Sequence, residues 1–394
     1  MKTVFLIGDS VYPDSFGGSH RHVYDLASAL VKDGYNVHVI VPNPNKKFKE
    51  HEYSDMGFEY WRYPRNRNNK VIGLFQYLTG PLRMIKKLEK RGIIPDIIHS
   101  HWAITNALIF KKYVNSTVKL IHTMHGPCAE EFLLEKKNYP YILKHSIACL
   151  YKNLEQSVFN NADYVIVASN YMKEKAVKNY SNKKKVRVIP VFTDIHKFDI
   201  RYLSRKDARN QLGITYQGKI IVSVRRLAKR MGLDNLIYAM KYIISIQPNI
   251  YLLIGGKGDY EPVLYDIIRK NDLQDHVKML GFVSEDVLPC LYEAADLVVI
   301  PSLDLEGFGL VTTEAMASGT PVVATPRGGN VEVVGGFSER YLSKGVEPEQ
   351  LANTILDILI FSQDRNREEY RSYVVDNFSC EKVTDKIERL YNEN

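Results

Sequence analysis

Paired cysteines, long apolar runs and a leader-like start are all missing from this chain. Only four cysteines occur in 394 residues, at Cys128, Cys149, Cys290 and Cys380, and none forms a Cys-x-x-Cys pair. That excludes zinc ribbons and dithiol redox motifs, and unpaired thiols suit a reducing compartment. No apolar stretch approaches the ~20 residues that a membrane span needs. The N-terminus has one Lys and a short apolar run, Val4 to Ile7, which stops at Gly8-Asp9. That run reads as a buried strand and not as a signal peptide. A cytoplasmic protein, at most peripheral at the inner face of a membrane, is the expectation. No histidine pair has helical metal-ligand spacing, and no Asp-x-Asp pair stands out; Asp304 is alone.

What is present is ordinary in amount. Apolar residues make up 45% and charged residues 25%, which argues against disorder, collagen and coiled coil. The length suggests two or three domains. A net charge of +8 fits nucleic acid, an anionic membrane, phosphorylated small molecules or plain solubility.

Short apolar runs alternate with helical patterns. The predicted strands are Thr3–Ile7, Val37–Val41, Ile97–His99, Leu120–Thr123, Tyr164–Ala168 and Val186–Ile189. Between the first two, Ser19–Lys32 repeats Val23, Leu26, Ala27 and Leu30 at helical spacing. Strands apolar on both faces, alternating with helices, imply a parallel sheet covered on both sides. A polar stretch, 193–217, interrupts the pattern and holds one short helix, Arg205–Leu212. The alternation restarts with Lys219–Val224, Tyr251–Ile254, His276–Leu280, Leu297–Pro301 and Pro321–Ala324. The expected domains are 1–196, rejoined by a C-terminal helix in 380–394, and 197–379. Ligands bind beyond the carboxyl ends of parallel strands, so two facing doubly wound sheets would share a cleft.

Four constellations fall at such ends. Gly17-Gly18 precede a helix, whose N-terminus favours anions. A nicotinamide dinucleotide site is disfavoured there. Gly8 and Gly18 are too far apart for Gly-x-Gly-x-x-Gly, and the second strand ends Val41-Pro42-Asn43 without a carboxylate. Leu305 to Pro321 is the second constellation. Gly307 and Gly309 suit a tight loop, and the helix that follows is closed by Gly319 and Pro321. Its first N–H groups, near Phe308 to Val311, can meet an anion, with Glu306 before the helix and Glu314 two turns inside. Eight residues along a helix span ~12 Å, too far for a retaining hydrolase's carboxylate pair. Third, Arg225, Arg226, Lys229 and Arg230 end the strand Lys219–Val224, where guanidinium groups suit phosphate or simply face solvent. Fourth, His125 follows the strand Leu120–Thr123 and is either structural or an acid–base and hydrogen-bonding group. His99, His101 and Trp102 read as packing and cleft wall.

Together these residues resemble the retaining glycosyltransferases of family 4, across essentially the whole chain. The most specific piece is Glu306 to Glu314, continued through Ala324. Phe16-Gly17-Gly18, His125-Gly126, Arg226-Leu227, Gly256-Lys257-Gly258 and Leu280 to Val283 support it. The resemblance implies a GT-B fold of two facing Rossmann-like domains, the first on the acceptor side and the second on the donor side. It implies a nucleotide-sugar donor, UDP-glucose or UDP-N-acetylglucosamine first and GDP-mannose as an alternative, an unknown hydroxyl acceptor, and no metal, cofactor or nucleic acid. Glu306 would hold the donor sugar and Glu314 the ribose. The backbone of Gly307, Phe308, Gly309, Leu310 and Val311 would hold sugar and phosphate. Arg226 and a second cation would neutralise the diphosphate. Val283 would read the base, Gly18 would approach the phosphate and His125 would touch the sugar. Relatives usually carry Lys where Met231 stands, so Arg230 is the expected second cation. An epimerase or phosphorylase on the same fold, or a non-catalytic sugar-nucleotide sensor, are the other readings. Leu82, Ile85 and Leu88 share one face of a basic stretch, Arg83–Arg91. This is an ordinary surface helix or one that presses on anionic lipid; Lys183–Lys185 adds further positive charge.

Overall fold

Short strands that are apolar on both faces need helices on either side, and that need sets the architecture of both units. The computed structural model describes residues 1–15, 17–43, 48–135, 139–180, 185–361 and 366–393. It divides into one unit of Met1–Pro190 with Val383–Asn394, and a second of Val191–Lys382. Phe16, Lys183 and Lys184 lie outside the described residues.

The first unit runs β1 (Thr3–Ile7), α1 (Gly18–Lys32), β2 (Asn36–Pro42), β3 (His51–Tyr53), β4 (Glu59–Tyr63), α2 (Lys70–Glu89), β5 (Ile97–Ser100) and α3 (Ala103–Tyr113). It continues with β6 (Lys119–Met124), α4 (Cys128–Glu135), α5 (Tyr141–Asn161), β7 (Tyr164–Val167), α6 (Asn170–Tyr180) and β8 (Val186–Val188). Strand order is β3-β4-β2-β1-β5-β6-β7-β8, parallel except for β3 against β4. The order reverses between β1 and β5, where Val4 pairs with Ile97.

The second unit holds α7 (Arg205–Gln211), β9 (Lys219–Val224), α8 (Leu233–Ile246), β10 (Ile250–Gly255), α9 (Glu261–Lys270), β11 (Val277–Gly281) and α10 (Leu288–Ala294). Then come β12 (Leu297–Ile300), α11 (Leu310–Ala317), β13 (Val322–Ala324), α12 (Asn330–Phe337), α13 (Pro348–Phe361) and α14 (Arg367–Phe378). Its parallel sheet has the order β11-β10-β9-β12-β13, reversing between β9 and β12.

Each unit has its own core. Phe5, Ile98, Phe110 and Phe159 are fully or almost fully buried in the first, as are Ile221, Leu236, Ile254 and Leu297 in the second. Each such side chain is worth about 1.5–3 kcal/mol of burial. The last helix, α15 (Cys380–Asn392), buries Val383, Ile387 and Leu390. It returns to the first unit, where the Tyr391 hydroxyl bonds His99 Nδ1 at 2.7 Å.

Two features depart from the sequence reading. The division falls after Pro190 and not near 196. Thr193 N donates to the Phe378 carbonyl at 2.8 Å and Lys197 pairs with Glu285 at 3.0 Å, so this polar stretch is tied into the second unit. The strands β3 and β4 were not anticipated. Arg62 disguises β4 as exposed, yet it is buried against Asp14 at 2.6 Å and also pairs with Glu52.

Candidate functional site

The second unit gathers its chemistry where its strand order reverses. In open parallel sheets, ligands bind beyond the carboxyl ends of the strands at such a point. Two loops meet there, one after β9 and one after β12. Leu303 N donates to the Arg230 carbonyl at 2.9 Å, joining them. The Arg225 guanidinium donates to Ser302 Oγ at 2.7 Å and to Glu306 Oε2, and Ser302 Oγ donates to the same carboxylate oxygen at 2.6 Å. The Arg225 and Glu306 side chains are 6% and 12% exposed, so solvent screens the pair little. Burial alone would raise the Glu306 pKa. Arg225 and Ser302, with Arg230 nearby, outweigh it and hold the carboxyl below its ordinary value. Glu306 is therefore an anion held for hydrogen bonding.

The loop reaches this geometry at a cost. Leu305 has φ +51°, a left-handed value that a leucine rarely adopts and that costs about 1–3 kcal/mol. Its buried side chain and the Arg230 Nη1 bond to its carbonyl, at 3.2 Å, hold it there. Gly309 caps α11 at φ +92°, where a side chain would be strained. Phe308 is buried with its ring against Phe378. Leu310 and Val311 open α11, and their N–H groups have no intrahelical acceptor. These amides and the helix dipole form an anion-binding end. One turn further, Glu314 Oε2 accepts from the buried Tyr292 hydroxyl at 3.4 Å.

Around this centre the other predicted residues take their places. Arg226 is exposed beside Arg225, and Arg230 reaches the Leu305 carbonyl. The side chain that meets Glu306 is thus Arg225, one position before the arginine singled out from sequence. The Gly256–Gly258 turn bonds the arginine loop from behind, with Leu227 N donating to the Lys257 carbonyl at 2.9 Å. Val283 follows β11 and lies against Gly255 at the carboxyl end of β10.

Sequence reasoning missed the support beneath Glu306. Gly329 N donates to the Glu306 carbonyl at 2.7 Å. Gly328 has φ +57°, and a Cβ there would run into that carbonyl. Buried Asn330 and Thr312 flank Gly309, and Asn330 Oδ1 and Thr312 Oγ1 have no hydrogen-bond partner among the described residues. The signal was the pair Gly328-Gly329 before a helix.

In the first unit, Gly17 caps α1 at φ +149° and Gly18 opens it, both exposed at the carboxyl edge of the sheet. His125 directly follows β6 and lies 3.1 Å from His101, Nε2 to Nδ1. A cavity of about 230 Å³ is lined by these two rings with Trp102, Thr123, Glu131 and Glu155. Burial lowers His22 to about 4 and His122 and His125 to about 3. His99 bonds Thr123 and Tyr391 and is a packing residue; His101 instead belongs with His125. Among the described residues no three His, Cys, Asp or Glu side chains are arranged to hold a metal ion. No helix among them is long and apolar enough to cross a membrane.

Comparisons with known proteins agree with this layout. Residues 204–392 match the model of the glycosyl transferases group 1, and residues 16–197 match that of glycosyltransferase family 4. An uncharacterized glycosyltransferase of Methanocaldococcus jannaschii is 30% identical over 82% of this chain and 80% of its own. Sucrose-phosphate synthase from Thermosynechococcus elongatus superposes with a TM-score of 0.80 at 24% identity, covering 99% of this chain and 98% of that one. HepE from Anabaena in complex with UDP superposes with a TM-score of 0.75 at 21% identity, covering 99% of each chain. The parallel sheets are those of the GT-B fold, and this chain belongs to the family 4 glycosyltransferases of group 1.

Proposed function

We propose that the enzyme transfers a hexosyl group from a nucleoside-diphosphate sugar to a hydroxyl acceptor, with retention and without a metal ion. UDP-glucose or UDP-N-acetylglucosamine is the favoured donor. The observation that carries this reading is the Glu306 carboxylate, bonded by Arg225 and Ser302 beside the open start of α11. A fixed anion next to a fixed anion-binding end suits a ligand with hydroxyls at one end and phosphate at the other. Donor hydroxyls donate to Glu306, and Glu314 accepts from the ribose. The amides of Leu310 and Val311, with Arg226 and Arg230, take the diphosphate. In the first unit His125 serves as a neutral hydrogen-bonding group for the sugar, and Gly18 as a backbone contact for phosphate. That UDP occupies HepE supports a uridine donor.

In the reaction the bond from C1 to the phosphate oxygen breaks, and the acceptor oxygen bonds C1 on the same face. The acceptor proton passes to the departing phosphate. Negative charge grows on that phosphate, where preorganised amides and guanidinium groups stabilise it most. A thermal-shift screen of UDP, GDP, ADP and TDP sugars in EDTA tests the donor, because a ligand that binds only the folded form raises the melting point. UDP-sugars should give the largest shift. A larger shift with GDP-mannose would reassign the donor, and a shift seen only with a divalent ion would overturn the metal-free mechanism.

A further inference from the structure

The stretch Arg83–Arg91 does not offer its apolar face to a partner, because Ile85 and Leu88 are buried in the core of the first unit. The unpartnered apolar surface lies upstream. Val71, Ile72, Leu74 and Phe75, in the first turns of α2, are 46–78% exposed. Tyr141, Ile142 and Leu143, in the first turn of α5, are 49–80% exposed. Monomeric proteins rarely leave such clusters open without a use.

Both helix ends stand on one edge. Each lies at the carboxyl ends of the parallel strands, since α2 follows β4 and α5 leads into β7. Further along the two helices, Tyr77 and Tyr151 are close enough to influence each other, and Arg65 acts on both. From that level α2 runs back seven residues to its start and α5 runs back ten, so both apolar ends lie on the carboxyl side of that contact. The start of α2 is not frayed. The Asn69 side chain accepts from Val71 N and Ile72 N at 3.1 and 3.0 Å, and Asn66 N donates to Gln76 Oε1 at 2.6 Å. The chain therefore holds these apolar residues in water by specific bonds.

Charge selects the partner. Neither 64–87 nor 139–154 contains an Asp or Glu, while Arg65, Arg67 and Lys144 carry positive charge at the apolar ends and Arg83 reaches back towards them. Arg83 stacks on Phe75, its guanidinium carbon 4.7 Å from the ring centre. A two-fold contact with a second copy would set these cations against themselves. We propose that this edge docks on an anionic lipid bilayer, with the apolar side chains entering the headgroup boundary and the cations meeting lipid phosphate. Resting on the transferase reading, the acceptor class follows: a hydroxyl compound anchored in that bilayer, delivered to the edge where His101 and His125 line their cavity.

Flotation of the full chain with vesicles tests the surface. Vesicles of phosphatidylcholine mixed with phosphatidylglycerol should carry the protein upward in low salt and release it in high salt; pure phosphatidylcholine should not carry it. Removing the charge of Arg67 or of Arg83 should weaken partition about fivefold each. Phe75→Ser with Ile142→Ser should weaken it more than tenfold, with an unchanged melting point and an unchanged thermal shift by UDP. Protein left in the bottom fraction with anionic vesicles in low salt overturns the proposal. So does a dimer in sedimentation velocity that the double variant abolishes. Failure of the UDP shift alone counts against the donor reading and leaves the surface standing.

Discussion

Replacing Arg225 by alanine should turn Glu306 from a held anion into a buried liability. Its carboxylate keeps Ser302 at 2.6 Å but loses its guanidinium partner. Stranding one member of a buried pair costs about 3–5 kcal/mol; with Ser302 and Arg230 still near, we expect about 2–4 kcal/mol. For a unit of this size that is a fall in melting point of roughly 5–12 °C. The pH dependence carries a sign. In the native enzyme Glu306 sits below its ordinary carboxyl pKa of 4.5. Its contribution is therefore full above 4.5 and is lost as pH falls through the lower folded value. Without Arg225, burial, the largest influence in the native site, should win and raise the folded pKa above the ordinary value; stability should then fall as pH rises through the window between those two values. Denaturant melts of wild type, Arg225→Ala, Glu306→Gln and the double variant, from pH 4 to 7, read this out. The coupling should be largest near pH 7, and the pH dependence of the Arg225→Ala effect should be lost in the Glu306→Gln background. An Arg225→Ala protein as stable as wild type, with the same pH profile, would refute the pairing.

Two further outcomes follow from the same geometry. Gly328→Ala pushes a methyl group into the Glu306 carbonyl at a left-handed φ, so turnover should fall at least tenfold while the circular dichroism spectrum is kept; unimpaired turnover would remove Gly328 from the support of the loop. The buried histidines make the first unit acid-sensitive. His22, His122 and His125 have folded pKa values of about 4, 3 and 3, against 6.5 unfolded. The unfolded chain binds protons first, so stability should fall as pH drops below 6.5, by about 2 kcal/mol per imidazole at pH 5; a flat melting curve over that range would contradict neutral burial.

The parallel strands were legible because residues apolar on both faces, as in Val4–Ile7 and Lys219–Val224, have few alternatives to a covered sheet. The loop and helix from Glu306 to Gly319 were legible because glycines at fixed offsets mark a turn and a cap. Which arginine serves Glu306 was not. Arg225 and Arg226 are adjacent residues leaving a strand, so their side chains diverge, and composition cannot say which one turns inward. The strand β4 was hidden because Arg62 looks solvent-facing until Asp14, distant in sequence, is found beside it. The apolar start of α2 was overlooked for a related reason. Periodicity shows that Val71 to Phe75 and Leu82 to Leu88 can both be helical, but only packing shows which face finds a partner.

In the proposed site, protein amides and guanidinium groups hold a nucleoside diphosphate beside Glu306 and Glu314 with no metal ion. Calorimetric titration of UDP into the full chain in EDTA tests it most directly, with wild type, Arg226→Ala and Glu314→Ala compared. Wild type should bind saturably and each variant at least tenfold more weakly, about 1.4 kcal/mol or more. Wild-type binding that needs a divalent ion, or equal affinity in all three proteins, would contradict it.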